Sequence, residues 1–280
     1  MKISLKVVWH LLILSLSQPV FSQRFQFNHL YQKQSLLIDS AFDNTVLINA
    51  PESFGPSPFN RGTGVYLGFF QQQHVFVTNA HVLNQENCQG ARVTMLLSKK
   101  RTLTFECHKV IVSFYRKDFS DMTLFTVKNF RPDLVKARGE NLELSYRPQR
   151  GEEVFYVGMG QPSRSFSDSS RAQRELEKFS PELVGGKKCF ITSADGQLVT
   201  SDDLKASSIF ATGCTALAGD SGAVLRRWSD GKAIGLVFAA RLDRDYTFEE
   251  LNFASLHQRP LIWRSGTFVL TLEKIKEYLL

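Results

Sequence analysis

From Gly62 onward the chain is written in short runs of β-branched, aromatic and aliphatic residues, each stopped within a few positions by turn residues. A first set reads "GTGVYLGFF", "HVFVTNAHVL", "ARVTMLL", "TLTFECHKVIVSF" and "DMTLFTV". After a long interruption a second set reads "EEVFYVGMG", "KKCFITSA", "SSIFATGC", "SGAVLRRW", "AIGLVFAARL", "LNFASL" and "SGTFVL". Many short strands in two groups predict an all-β fold, a pair of antiparallel barrels or sandwiches. The clearest helix signal is at the end, in "TLEKIKEYLL", with Thr271 as N-cap and Leu272, Ile275 and Leu279 on one face.

The segments outside these runs divide the rest of the chain. "MKISLKVVWHLLILSLSQPVFSQ" places Lys2 and Lys6 before an apolar run from Val7 to Leu16, with Val20, Phe21 and Ser22 ahead of Gln23. That is the pattern of a signal peptide over 1–22, its apolar run shorter than the roughly 20 residues that span a bilayer. No second long apolar stretch follows, so the expectation is an exported protein, periplasmic or secreted, with no membrane attachment after signal removal. Residues 23–60 form an extension, polar and Gln-rich at first and then dense in Pro, Gly and Ser ("NAPESFGPSPFNRG"), either a propeptide or a structural strap. The compact body is expected over 61–280, with a first barrel at about 61–145, a second at about 146–270 and the helix at 271–280. Residues 161–188 are polar and Ser-rich and read as a solvated loop in which "SSRAQRELEKF" makes a few helical turns.

Charge excludes one class of partner. The formal net charge of +7 falls to +5 once Lys2 and Lys6 leave with the signal, and the basic residues are scattered or paired with acids. No aromatic interleaving offers a stacking platform, so no nucleic-acid partner is expected. The cysteines Cys88, Cys107, Cys189 and Cys214 show no C-x-x-C spacing for zinc. In an exported chain four cysteines favour disulfides, with three possible connectivities. The local pairing, Cys88–Cys107 and Cys189–Cys214, is preferred, each bridge stabilising the fold by about 3 kcal/mol if unstrained.

Three residues carry the candidate chemistry. "GDSG" is ordinary turn sequence in isolation. His81, however, sits where the apolar strand "HVFVT" ends, and Asp121 opens the alternating run "DMTLFTV". Asp118 is a rival carboxylate, but choosing it would put Asp121 inside the following strand. A serine hydroxyl is a weak nucleophile until a base takes its proton; neutral imidazole does so near pH 7, and a carboxylate fixes its tautomer and stabilises the imidazolium. Gly219 and Gly222 let the backbone bend around Ser221, so that the N–H groups of Gly219 and Ser221 point at one developing oxyanion. This chemistry requires no metal and no organic cofactor.

"GTG" before a strand, "TNAHVL", "DMTLF" and "GCTALAGDSGAVL" resemble the chymotrypsin-like (trypsin-fold) serine peptidases, in the order His, Asp, Ser. The resemblance covers about residues 60–280 and is closest to the bacterial glutamyl-endopeptidase-like and trypsin-like-domain branch, whose cysteines before the serine look like Cys189 and Cys214. It implies two six-stranded β-barrels with the triad His81, Asp121 and Ser221 in the cleft between them, and a C-terminal helix. The strand in "AIGLVFAAR" resembles the one that lines the specificity pocket, so Thr215, Val237, Phe238, Ala239 and Ala240 become the expected substrate-binding residues. An α/β-hydrolase is excluded: its elbow is G-x-S-x-G, whereas Ala223 takes the last position here, and its histidine follows the serine, where this chain has only His257.

The departures from the family matter for specificity. Trypsin-like digestive enzymes carry an aspartate six residues before the serine; here it is Thr215, which argues against cleavage after Arg or Lys. Glutamyl-specific relatives carry a histidine where this chain has Val237. The expectation is a narrow, mostly apolar pocket for small or medium side chains. Asp220 corresponds to the aspartate that pairs with a newly released N-terminus in zymogen-activated relatives, yet no "IVGG"-like site precedes Gly62. Its expected partner is an Arg or Lys, local backbone N–H groups, or an N-terminus made by another cut. The leading functional expectation is a serine endopeptidase acting on protein or peptide substrates. The alternatives are a non-catalytic binding or regulatory protein on the same fold and an esterase using the same triad.

Overall fold

The computed structural model describes residues 37, 39–51, 59–98, 101–115, 121–134, 141–145, 148–159, 189–191, 209–212, 214, 216, 219–241 and 266–280. The runs read from the sequence, apart from "LNFASL", contribute to antiparallel strands. The first group is β1 (Thr45–Pro51), β2 (Phe59–Phe70), β3 (Gln73–Thr78), β4 (Arg92–Ser98), β5 (Arg101–Tyr115) and β6 (Asp121–Val127). They close a barrel in the order β1-β2-β3-β6-β5-β4, with β4 returning to β1 from Val46 opposite Met95 to Asn49 opposite Arg92.

The strands that carry the candidate site are buried on both faces. Tyr66, Phe76 and Phe125 fill the barrel interior with Val46, Ile48, Val93 and Met95. Phe76 and Phe125 are cross-strand partners whose rings stack at 5.5 Å. Their sequence neighbours Val65, Val77 and Leu124 point the other way, into a core shared with Val224, Leu236, Leu270, Leu272, Ile275 and Leu279 of the second half. Because successive side chains alternate faces, a strand covered on both sides must be apolar throughout. That is why "HVFVT" and "MTLFTV" read as nearly continuous apolar runs.

The second group is β7 (Glu153–Tyr156), β8 (Cys189–Phe190), β9 (Ile209–Thr212), β10 (Val224–Arg227), β11 (Ala233–Arg241) and β12 (Gly266–Thr271). They form a six-stranded sheet in the order β8-β7-β10-β11-β12-β9. Among the described residues an isolated antiparallel bridge, Ile191 to Thr212, joins its two end strands. The Cys189–Cys214 disulfide, with Cα atoms 5.2 Å apart, crosses the same seam. The Cys88–Cys107 disulfide, Cα atoms 5.4 Å apart, ties the turn that follows His81 to β5. Between the halves, residues 141–145 act as a connector: Leu142 N–H donates to Leu67 C=O at 2.7 Å, and Ser145 N–H to Ala233 C=O at 2.6 Å. All of this lies in one compact unit, Ser40–Leu280.

Two boundaries differ from expectation. The barrel starts at Thr45, inside the stretch assigned to an extension, because "TVLINAP" supplies the strand that pairs with both β2 and β4. The terminal helix is shorter than 271–280. Thr271 is still in the ladder, opposite Gly235, so the chain passes through a tight 3₁₀ turn (Leu272–Ile275) into the single α-helical turn α1 (Lys276–Leu279). Thr271 makes no side-chain capping bond, while Leu272, Ile275 and Leu279 bury one face as expected. Residues 1–22, the 161–188 loop and the run "LNFASL" lie outside the described residues. Among the described residues no helix is long and apolar enough to cross a membrane, and no group of His, Cys, Asp and Glu is arranged to hold a metal ion.

Candidate active site

β3 and β6 are neighbours, with Thr78 opposite Thr123. The chain therefore leaves β3 beside the place where β6 begins, which brings His81 and Asp121 to one end of adjacent strands. A tight turn follows β3, with the N–H groups of Val82 and Leu83 both donating to Asn79 C=O, at 3.1 and 3.0 Å. The Asp121 carboxylate then holds His81 twice. Its Oδ1 accepts the His81 backbone N–H at 2.8 Å, and its Oδ2 meets the ring Nδ1. Buried Asn79 fixes the other side of the junction by donating from Nδ2 to Asp121 C=O at 2.7 Å, and Asn60 Nδ2 donates to His81 C=O. With Nδ1–H directed at the carboxylate, the neutral ring keeps Nε2 as an acceptor. The imidazole is 37% exposed and the carboxylate 20%, so the pair reaches solvent at the rim of the core.

Ser221 lies in a turn between Gly219 and Gly222, with φ of 95° and 92° respectively. Gly222 is required by space as well as by φ, since a Cβ there would overlap Thr63 O and Thr78 Oγ1. The turn is stitched to barrel residues on one side: Thr63 N–H donates to Ser221 C=O at 2.8 Å, and Thr63 Oγ1 donates to Gly219 C=O at 2.7 Å. On the other side Gly222 N–H donates to Val237 C=O at 2.8 Å. Gly62 brings this turn to the histidine turn. A Cβ on Gly62 would stand 2.5 Å from a methyl of Val82, the residue after His81, and 3.1 Å from Ser221 O.

Asp220 is 2% exposed, and its Oδ2 accepts the Tyr156 hydroxyl proton at 2.9 Å. A phenol was not among the expected partners. Burial, followed by the neighbouring Asp220 charge and its hydrogen bond, pushes the Tyr156 phenol well above its usual pKa, so it remains a donor. Gly158 leaves room for this carboxylate, because a Cβ there would overlap Asp220 Oδ1. Tyr156→Phe removes a donor from a buried carboxylate and is expected to cost about 1–3 kcal/mol. The measurement is a urea titration, with a lower midpoint and an unchanged m-value.

Of the expected substrate-binding residues, Val237 is buried among Cys214, Ala216, Ala223 and Val269, an apolar group without charge. Phe238 is half-buried and packs on the core shared between the halves. Ala239 and Ala240 extend β11 opposite Phe268 and Thr267. The segment ahead of the serine turn is anchored by Thr267, whose Oγ1 donates to Cys214 C=O at 2.6 Å and accepts from Ala216 N–H at 3.1 Å. Thr215, Asp118, His257 and the side chains of Ala239 and Ala240 lie outside the described residues. Sequence reasoning missed Asn60, Thr63, Asn79 and Tyr156 as site residues; Thr63, set between two glycines in "GTG", left the plainest local trace.

The active form of the Rv3671c protease from M. tuberculosis aligns with a TM-score of 0.52 and 17% identity over 86% of this chain and 81% of that chain, a likeness of fold. An inactive form of Rv3671c from M. tuberculosis H37Rv, bearing a serine-to-alanine substitution, aligns with a TM-score of 0.49 and 18% identity over 86% of this chain and 87% of that one. No curated protein matches the chain. A family model for the trypsin-like peptidase domain matches residues 62–236, from the glycine between the two turns to the middle of β11, and on that match the chain belongs to the trypsin-like peptidase domain family.

Proposed function

We propose that the protein is an exported serine endopeptidase whose nucleophile is Ser221. The observation that carries this reading is the adjacency of two turns, one holding His81 on the Asp121 carboxylate and the other holding Ser221, with Gly62 packed against both. Ser221 Oγ attacks the scissile carbonyl while His81 Nε2 takes its proton, and the same nitrogen then gives that proton to the leaving amine. Asp121 keeps the ring in the required tautomer and stabilises the imidazolium. The N–H groups of Gly219 and Ser221 receive the oxyanion, and water repeats the sequence to release the acyl group. Neither Thr215 nor Val237 offers charge to a side chain of substrate, which favours small or medium apolar residues at the cleavage site over Lys, Arg or Glu. Residues 1–22 serve as the export signal, and the two disulfides suit an oxidising compartment. The likeness to the glutamyl-endopeptidase branch rests on Cys189 and Cys214 and carries no proposal of glutamyl specificity.

The test is a fluorophosphonate probe on the folded, exported protein, with Ser221→Ala as control. Labelling of the wild type alone, with cleavage of members of a diverse peptide library, is the expected result. A wild type that takes no label sinks the enzyme reading in favour of a binding protein. Labelling without peptide cleavage points to ester substrates.

A further inference from the structure

We infer that Thr63 is a positioning residue for the oxyanion-binding turn, an inference that rests on the peptidase reading above. Each polar group of this fully buried residue is spent on the serine turn, on its junction with the second sheet or on β3. Its N–H donates to Ser221 C=O at 2.8 Å and its hydroxyl donates to Gly219 C=O at 2.7 Å. The same hydroxyl accepts Met159 N–H at 2.8 Å, and its carbonyl accepts the Thr78 hydroxyl proton at 2.6 Å.

The geometry gives these bonds a specific effect. The carbonyls of Gly219 and Ser221 belong to the peptide planes on either side of the Asp220–Ser221 peptide, which carries the Ser221 N–H. Ala223 N–H donates to Asp220 C=O at 2.9 Å and holds the middle plane from within the turn, and with both outer planes bonded to Thr63 the Ser221 N–H is held in one direction. The Gly219–Asp220 plane also adjoins the peptide that carries the Gly219 N–H, so the hydroxyl limits that donor as well. Fixed donors of this kind stabilise charge that develops only in the transition state, and misplacing them lowers turnover more than substrate affinity. The hydroxyl has its geometry set from behind, because Met159 N–H occupies one lone pair and leaves the proton aimed at Gly219 C=O. Thr78 steadies the residue from β3, the strand that leads to His81, by donating to its backbone carbonyl, so one residue couples the nucleophile turn to the strand of the base.

Thr63→Val keeps the branched shape and removes the hydroxyl; Thr63→Ser keeps the hydroxyl. The expected result for Thr63→Val is a kcat lower on the order of 10²-fold, the loss associated with a displaced oxyanion donor, with KM changed less than about twofold. A peptide boronic acid, which mimics the tetrahedral state, should lose affinity in the same proportion. Thr63→Ser should stay within about threefold of wild type in kcat. Amide hydrogen exchange in the 219–222 turn should quicken in Thr63→Val and not in Thr63→Ser. Wild-type kcat and exchange in folded Thr63→Val overturn the assignment, and so does an equal loss in Thr63→Ser, which would make the missing methyl the cause. Thr63→Ser carries that test alone if Thr63→Val does not fold. Fluorophosphonate labelling separates the two levels. A labelled wild type with an unaffected Thr63→Val overturns the role of Thr63 and keeps the peptidase; an unlabelled wild type overturns both.

Discussion

Asp121→Asn is expected to lower kcat on the order of 10⁴-fold while leaving the fold and KM nearly unchanged. The carboxylate accepts from two His81 donors, the backbone N–H through Oδ1 and the ring through Oδ2. An amide in its place presents one oxygen and one NH₂. If the oxygen keeps the backbone N–H, the NH₂ faces Nδ1 and forces the proton onto Nε2, where the base must have none. The pair should therefore remain hydrogen-bonded while the ring holds the wrong tautomer. Steady-state kinetics on a cleaved peptide, with circular dichroism to verify the fold, measures this directly. Asp118→Asn is the companion variant and should change the rate by no more than a few-fold; a large loss there with Asp121→Asn active would reassign the carboxylate.

Gly222→Ala is expected to destabilise the protein by about 3 kcal/mol or more, combining positive-φ strain with overpacking against backbone. At φ 92° the new methyl would press on Thr63 O and Thr78 Oγ1, one of them a backbone atom bonded in place. For a domain of this size the loss corresponds to a fall in Tm of about 6–12 °C. Gly151→Ala supplies the comparison. Gly151 also has positive φ, at 81°, but a Cβ there would meet nothing within 4 Å, so the strain stands alone at about 1 kcal/mol. Scanning calorimetry of the two variants separates conformational strain from steric overlap. Equal shifts would contradict the close approach between the serine turn and β2.

What the sequence discloses and what it hides follow from the range of the interactions. His81 and Asp121 are legible because each is a polar residue at the end of an apolar strand, a contrast visible within a few positions. The strands are legible for the same reason, and burial on both faces makes β3 and β6 more conspicuous. Thr63 is a different case. Its hydroxyl bonds to residues 156 and 96 positions away, so the flanking glycines mark a close approach without announcing what the hydroxyl does. Tyr156 is hidden likewise, since its phenol meets Asp220 across 64 positions while the ring looks like core. β1 escaped because "TVLINAP" is a short run between a polar stretch and one rich in Pro, Gly and Ser. Its apolar content makes sense only beside β2 and β4. The C-terminal turn was overextended because the periodicity of Leu272, Ile275 and Leu279 holds for a 3₁₀ segment joined to an α turn as well as for one longer helix.

The placement of β1 sets a limit on how far the N-terminus can be trimmed. Thr45–Pro51 pairs with β2 along its whole length and with β4 from Val46 to Asn49. A maturation cut ahead of Thr45 leaves the barrel closed. A cut beyond it would open two strand edges and uncover the interior around Val46 and Ile48, a surface prone to self-association. Whatever cleavage precedes activity, the mature chain must begin early enough to keep this strand.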